Sequence, residues 1–307
     1  MTPLGALEIG GSHLSVAMLD PTTFAVLAYA RLPLDSSNSL AVFLDVAARA
    51  VAAVDVPPPD SSDPRRWAIA IPGPFDYRRG VGGRHPAGKL AALAGVDVAD
   101  ALAPVLGPGP ITFVNDATAF ALGAAADHAH AGRLLALTFG SGIGSTFIED
   151  RQVVTDDERV PPGGEVYALP VPGFAEHTIE SRFGPAALAA ARGYGTFRSL
   201  AEYARTDPAT ALGIAEDFTG LADALAPWLG AFRPDTIVCG GGVCHAWDLF
   251  GPAFAARLTT HVSQAVQVVP CPETERVALR GAALAARDPD HVLGATHGTH
   301  QLVIPVE

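Results

Sequence analysis

The sequence predicts an α/β protein built in two halves, and three observations carry that prediction. A buried strand, a glycine turn and a second strand open the chain (LGALEI, Gly10-Gly11, HLSVAML). The same pattern returns near the middle as LLALTF, Gly140-Ser141-Gly142-Ile143-Gly144 and STFIED, which points to related halves. Around these hairpins, short apolar strands alternate with segments of helical spacing. The length of 307 residues suits two lobes of ordinary domain size. Hydrophobic residues at 49% against 17% charged supply ample surface for two cores.

Taken in order, residues 4–20 read as strand, turn and strand, and Thr22–Leu32 as a third strand. SLAVFLDVAARAVAAV has the apolar spacing of a helix. Residues 56–66 hold four prolines and read as a loop. WAIAIPGP is a buried strand closed by a Pro-Gly turn, and residues 77–89, glycine-rich and basic, are an exposed loop. VDVADALAPVL is a short helix, ITFVND a strand ending in two polar residues, and ATAFALGAAADHA a helix. In the second half, residues 158–175 read as a Pro- and Gly-rich loop, followed from Ile179 by mostly helical sequence. DTIVCGGGV is a strand ending in glycines; a helix, a strand near VQVVP and the helix RGAALAAR follow, and QLVIPV reads as a short terminal strand. The expected lobes are 1–115 and 116–307, with the C-terminal segment returning to the first.

Bulk properties narrow the function classes. A formal net charge of −12 repels phosphate backbones, so no nucleic-acid partner is expected. The three cysteines, Cys239, Cys244 and Cys271, lack a framework spacing and suit a reducing compartment. The start lacks the pattern of a secretory leader, and no apolar run of about 18 residues suggests a membrane span. The expectation is a cytoplasmic protein with no membrane partner.

Three glycine turns follow buried strands: Gly10-Gly11-Ser12, Gly140-Ser141-Gly142 and Gly240-Gly241-Gly242. A residue without Cβ lets backbone N–H groups approach an anion, so a set of such turns fits a nucleotide, although one alone means only a tight turn. Gly83–Lys89 spells G-x-x-x-x-G-K, but Leu90 stands where a P-loop needs Ser or Thr. Asn115-Asp116 ends a strand and opens a helix. Its aspartate is either a general base for an attacking hydroxyl, a helix cap, or one role for each residue of the pair. Glu8, inside an apolar strand beside the first glycine turn, is costly unless it meets a metal, a partner or water. Glu165 and Glu180 flank the Pro- and Gly-rich loop; they are acceptors for sugar hydroxyls or solvated loop acids.

Together these segments resemble the ROK (repressor, open reading frame, kinase) family of the sugar kinase and actin-like superfamily, over nearly the whole chain. LEIGGSHLSVAMLD and LTFGSGIGSTFIEDRQVV look like its two phosphate motifs, and VNDATAFALGAA like its catalytic Asn-Asp segment. IAIPGPFD resembles its first-lobe strand and turn, GGEVYALPV and HTIESRFG its sugar-binding stretches, and TIVCGGGV and LRGAALAA its adenosine region and a late helix. The resemblance implies a two-lobed actin-like (ribonuclease H-like) fold and phosphorylation of a hexose or amino sugar from ATP and Mg2+. It implies Asp116 as base, Asn115, Glu165 and Glu180 as sugar ligands, and Gly10, Gly11, Ser12, Gly140, Ser141 and Gly142 as phosphate grips. Gly240, Gly241 and Gly242 match the adenosine grip, and Glu8 the residue that holds magnesium through water.

The chain departs from the family pattern at several places. Glu8 and Ser12 replace the usual Asp and Thr, and Ala168 the histidine shared by sugar and zinc. HPAGKLAAL lacks the usual aromatic, and the cysteine-rich loop is missing, so no structural zinc is expected. Family repressors carry a helix-turn-helix before the first phosphate motif; that motif begins here at about Leu7, and no DNA reader is expected. A homodimer is the default assembly, from the family and the commonness of two-fold symmetry. Two other readings stand beside the kinase: a sugar or nucleotide sensor on the same fold, which Glu8, Ser12 and Ala168 favour, and an actin-like ATPase acting on a carboxylate or acyl group.

Overall fold

The computed structural model describes residues 1–35, 37–54, 64–84 and 90–287. The expected terminal strand, and most of the proline loop and of HPAGKLAAL, lie outside the described residues. The chain divides into two units.

The first unit holds β1 (Leu4–Ile9), β2 (His13–Leu19), β3 (Val26–Pro33), α1 (Leu40–Ala53), β4 (Trp67–Ile71), β5 (Phe75–Asp76), β6 (Val81–Gly82), α2 (Val98–Leu106), β7 (Ile111–Asn115) and α3 (Asp116–Asp127). Its main sheet has the order β3-β2-β1-β4-β7. The first three strands are antiparallel neighbours, while β1, β4 and β7 run parallel. Alternation decides the two faces. Leu7, Ile9, Val16, Trp67, Ile69 and Phe113 join Phe43, Val46 and Ala50 of α1 and Val98 and Leu102 of α2 in one core. The opposite face carries alanines from β1 and β4, Ala6, Ala68 and Ala70. It also carries a polar row described below.

The second unit contains β8 (Arg133–Phe139), β9 (Ile143–Glu149), β10 (Gln152–Val154), β11 (Pro170–Val171), β12 (Phe174–Thr178), α4 (Ile179–Phe183), α5 (Pro185–Ala191), α6 (Phe197–Ala204), α7 (Pro208–Phe232), β13 (Thr236–Gly240), α8 (Trp247–Thr260) and β14 (Gln267–Pro270). Its sheet order, β10-β9-β8-β13-β14, repeats the first sheet strand for strand. Three antiparallel neighbours are again followed by parallel pairs. The core is aromatic: Phe218 of α7 stacks on Phe250 of α8 at 3.7 Å, and Phe139 and Phe254 meet it edge-on.

The last helix among the described residues, α9 (Thr274–Arg287), follows β14 as α3 follows β7. From Glu275 onward it belongs to the first unit. There Arg280 reaches the Gly123 carbonyl at 3.3 Å and pairs with Asp127, both on α3. Two sequence expectations change. The boundary moves from Asn115/Asp116 to Asp127, because α3 is buried with α9 in the first unit. The supposed loop 158–175 contains the start of the β11–β12 hairpin. Among the described residues, no helix is long and apolar enough to cross a membrane.

Candidate active site

In the first unit, β1, β4 and β7 are parallel neighbours that end at the same edge of the sheet, with Ile71 opposite Asn115 and Ala70 opposite Glu8. Side chains at the carboxyl ends of parallel strands are the usual place for a ligand in such sheets. Asn115 caps α3: its Oδ1 accepts from Ala117 N at 3.0 Å and Thr118 N at 3.2 Å. The capping role therefore falls on Asn115, and Asp116 stands as the first helical residue, its Oδ1 accepting from Ala117 N at 2.9 Å. Asn115 is itself oriented, donating from Nδ2 to the Tyr77 hydroxyl at 3.0 Å; that hydroxyl donates to Ile71 O at 3.1 Å. Tyr77 was missed in the sequence. Its one signal was an aromatic residue close behind the Pro-Gly-Pro turn.

The turn Gly10-Gly11-Ser12 joins β1 to β2, closed by Gly10 N donating to His13 O at 2.9 Å. Glu8 precedes it on β1. Its Oε2 is shut off from solvent and has no hydrogen-bond partner. Burial, then the nearby carboxylates of Glu275 and Asp116, push its pKa up to about 8, with Arg31 opposing. An orphaned, buried carboxylate oxygen of this kind suits a cation, so Glu8 fits the magnesium role. His13, which follows the turn, is held below the ordinary imidazole range, by burial first and then by Arg31.

In the second unit, the turn Gly140-Ser141-Gly142 joins β8 to β9 in the position that the first turn has in its own sheet. Glu180, in the first turn of α4, accepts from Ile143 N at 3.0 Å. A Cβ on Gly142 would meet that carboxylate, so glycine there leaves Glu180 the room to accept this bond. Thr178 caps α4 in a reciprocal capping box with Ser181, which fixes where Glu180 emerges. The segment after Glu165 is bonded to the same helix, Glu180 N to Tyr167 O at 3.0 Å and Ile179 N to Leu169 O at 2.8 Å. Ser145 of β9 ties the other side, donating to Gly164 O at 2.5 Å and accepting from Val166 N at 3.0 Å. Glu165 is raised above the usual carboxylate range by burial, and a hydrogen bond from Tyr167 works against that shift. Tyr167 is pushed up to about 12, chiefly by burial, so its hydroxyl stays a donor at neutral pH. Tyr167 carries no signal in the sequence that marks it as a site residue.

The third turn lies beside the second, because Gly240 pairs with Thr138 in the β13–β8 ladder. Gly241 has φ +93°, and a Cβ there would strike the backbone of Phe139. Its N–H donates to Thr274 Oγ1 at 2.6 Å. Thus one unit gathers Gly10, Gly11, Ser12, Glu8, Asn115 and Asp116 along one sheet edge. The other gathers Gly140–Gly142, Gly240–Gly242, Glu165 and Glu180. Glycine turns of this kind at strand ends fit an anionic nucleotide.

No family model and no curated protein matches the chain by sequence. Its fold matches solved structures. A ROK family protein from Streptococcus pneumoniae in complex with sucrose superposes with a TM-score of 0.72 at 17% identity, covering 94% of this chain and 99% of that one. A ROK family glucokinase from Streptomyces griseus in complex with glucose and AMPPNP gives 0.69 at 19% identity, covering 93% and 99%. A ROK family transcriptional regulator, a homologue of the E. coli MLC protein, gives 0.70 at 17% identity, covering 96% and 80%. The fold is therefore the actin-like fold of these sugar kinases and regulators.

Proposed function

We propose that the chain is a ROK family kinase that transfers the terminal phosphoryl group of ATP to a hydroxyl of a hexose or amino sugar. The observation that carries this reading is the division of labour at the start of α3. Asn115 takes the cap, and the carboxylate of Asp116 stands beside it at the carboxyl edge of the sheet. Asp116 would accept the proton of the attacking hydroxyl, with Asn115, Glu165 and Glu180 holding the sugar. The turns Gly10–Ser12 and Gly140–Gly142, whose first N–H groups close the turns on His13 O and Gly142 O, would hold the phosphates through the N–H groups that follow, and Gly240–Gly242 the adenosine. Magnesium, when bound near Glu8, would neutralise phosphate charge; the remaining catalysis is positioning and electrostatics.

The test is ATP turnover with magnesium against a panel of hexoses, N-acetyl hexosamines and amino sugars. One sugar should stimulate ADP release. Asp116→Asn should reduce that rate by roughly 10²–10⁴-fold, the usual worth of a general base. Sugar-stimulated turnover unchanged in Asp116→Asn would remove the assignment. ADP release that no sugar stimulates would point to the ATPase.

A second reading, a sensor of sugar or nucleotide, is favoured by the environment of Glu165. Ala168 stands where the family pattern has histidine, and Tyr167 occupies the hydrogen-bonding position beside the glutamate. A sugar that raises Tm without any turnover would support the sensor.

A further inference from the structure

The polar face of the first sheet assembles a group that neither the phosphate turns nor the proposed base explains. Glu8 on β1 lies opposite Ser15 on β2, and Ser15 lies opposite Arg31 on β3. His13 is two residues from Ser15 on the same strand and so shares its face. Glu275, in the first turn of α9, completes the group. One ligand atom from each of Glu8, His13 and Glu275 falls within 4.8 Å of the others. Donor atoms this close need only small rotamer adjustments to share one ion, since metal–ligand distances are about 2.0–2.2 Å.

Two features favour a cation at the centre. First, Glu8 Oε2 is buried and without a hydrogen-bond partner, a costly state for a carboxylate oxygen unless something charged meets it. Second, Glu275 is held by an outer ring. Ser15 Oγ and the Tyr29 hydroxyl (2.6 Å) donate to its Oε1, and Arg31 Nη1 is 3.2 Å from its Oε2. Metal-binding carboxylates are commonly oriented by such outer partners. His13 is similarly placed: Nδ1 lies 3.4 Å from Ser12 Oγ and Nε2 lies 3.8 Å from Glu275 Oε2. A proton on Nδ1 leaves the Nε2 lone pair facing the carboxylates.

We propose that Glu8, His13 and Glu275 are direct protein ligands of one divalent transition-metal ion such as Zn2+, Mn2+ or Co2+. The set of one imidazole nitrogen and two carboxylates suits these ions better than Mg2+, which prefers oxygen donors and retains its water. The site is separate in kind from a water-mediated magnesium beside a nucleotide. It also lies far in sequence from the stretch between the two loop glutamates where the family places its zinc. Because Glu275 comes from α9 and the other two ligands flank the β1–β2 turn, the ion would fasten the last helix to the first hairpin. Open coordination positions would remain for water or another ligand.

The test uses the full chain, stripped with a chelator and free of ATP and sugar, titrated with Co2+, Zn2+, Mn2+ and Mg2+. It is read by calorimetry, by the visible spectrum of bound Co2+ and by Tm. One equivalent of Co2+ or Zn2+ should bind, with a Tm rise of roughly 5 °C at about 100-fold excess over Kd. Mg2+ alone should give a much smaller shift. Glu8→Gln and His13→Ala should each weaken binding by about 100-fold or more, at least the loss seen when outer-sphere partners are removed. Their unchanged circular dichroism would show that they fold. His128→Ala/His130→Ala removes the neighbouring imidazoles of the second unit, whose rings lie 5.9 Å apart, and should leave the equivalent intact. Loss of binding only in that double variant, equal binding in Glu8→Gln, or a preference for Mg2+ would each overturn the proposal. Binding without any kinase activity would leave it standing, so its failure and that of the kinase reading are separable.

Discussion

On the proposed role of Glu165 as a sugar ligand, its carboxylate accepts hydroxyls best when ionised, and two influences set that ionisation. Burial raises its pKa, and the hydrogen bond from Tyr167 lowers it. The raised pKa means that Glu165's contribution to the stability of the sugar-free protein is present below the unfolded value. That contribution is lost as pH rises through the folded one. Sugar affinity runs the other way: it should fall as pH drops through the raised pKa, above the ordinary glutamate value of about 4.3. Tyr167→Phe removes the opposing influence, so the acid limb of sugar binding should move to higher pH. Calorimetric titration of the sugar against pH in both proteins checks this; a limb that moves down or stays still sinks the assignment. The neighbouring turn offers a second residue-scale test. In Gly142→Ala the new methyl meets the far end of the Glu180 side chain, which can swing aside. The protein should keep its Tm within a few degrees but lose the bond from Ile143 N. The KM for sugar should rise more than kcat falls.

At the scale of elements, an aromatic seam between α7 and α8 lies in the core of the second unit. Phe218 is buried and touches Phe139, Phe197, Phe250 and Phe254 through ring contacts. Phe218→Ala leaves a cavity that helices and strand must close together, and such losses cost about 3–5 kcal/mol. Urea unfolding followed within the second unit should show that loss, and a change under about 1 kcal/mol would show that the seam repacks. What was legible in the sequence divides at this scale. The two glycine hairpins and the strands WAIAI and TIVCG were readable because each is a short, largely apolar run stopped by glycine or proline. The β11–β12 hairpin was not, because its strands are short and Phe174 is exposed, so no alternation marks it. Asn115 and Asp116 were legible from their place between strand and helix. Tyr77, His13 and Glu275 were not, because their roles depend on which strands pair and on which helix returns to them.

At the scale of the molecule, both sheets have the same order, but the helices that follow their last strands share one unit. The expected boundary at Asn115 failed for this reason: what buries α3 arrives about 150 residues later in the chain. Every residue from Ala117 to Ala125 is buried. A helix apolar all round must be covered on all sides. α9 supplies part of that cover: Val277 lies against Gly123, and Gly281 against Ala119 and Gly123. The two helices come so close that a side chain on Gly281 would collide with the carbonyl of Ala119. Backbone cannot yield as a flexible side chain can, so Gly281→Val should force α9 away from α3. The second unit takes no part in that contact, and its own sheet should be indifferent. Hydrogen exchange on the full-length variant separates the two outcomes. Amides of Trp67–Ile71 and Ile111–Asn115 should exchange at least about tenfold faster than in the parent, while those of Thr236–Gly240 keep their protection. If both sheets loosened together, the units would unfold as one cooperative block. If neither did, α9 would be dispensable to the first core. If only the first loosens, folding of the N-terminal sheet waits for α9.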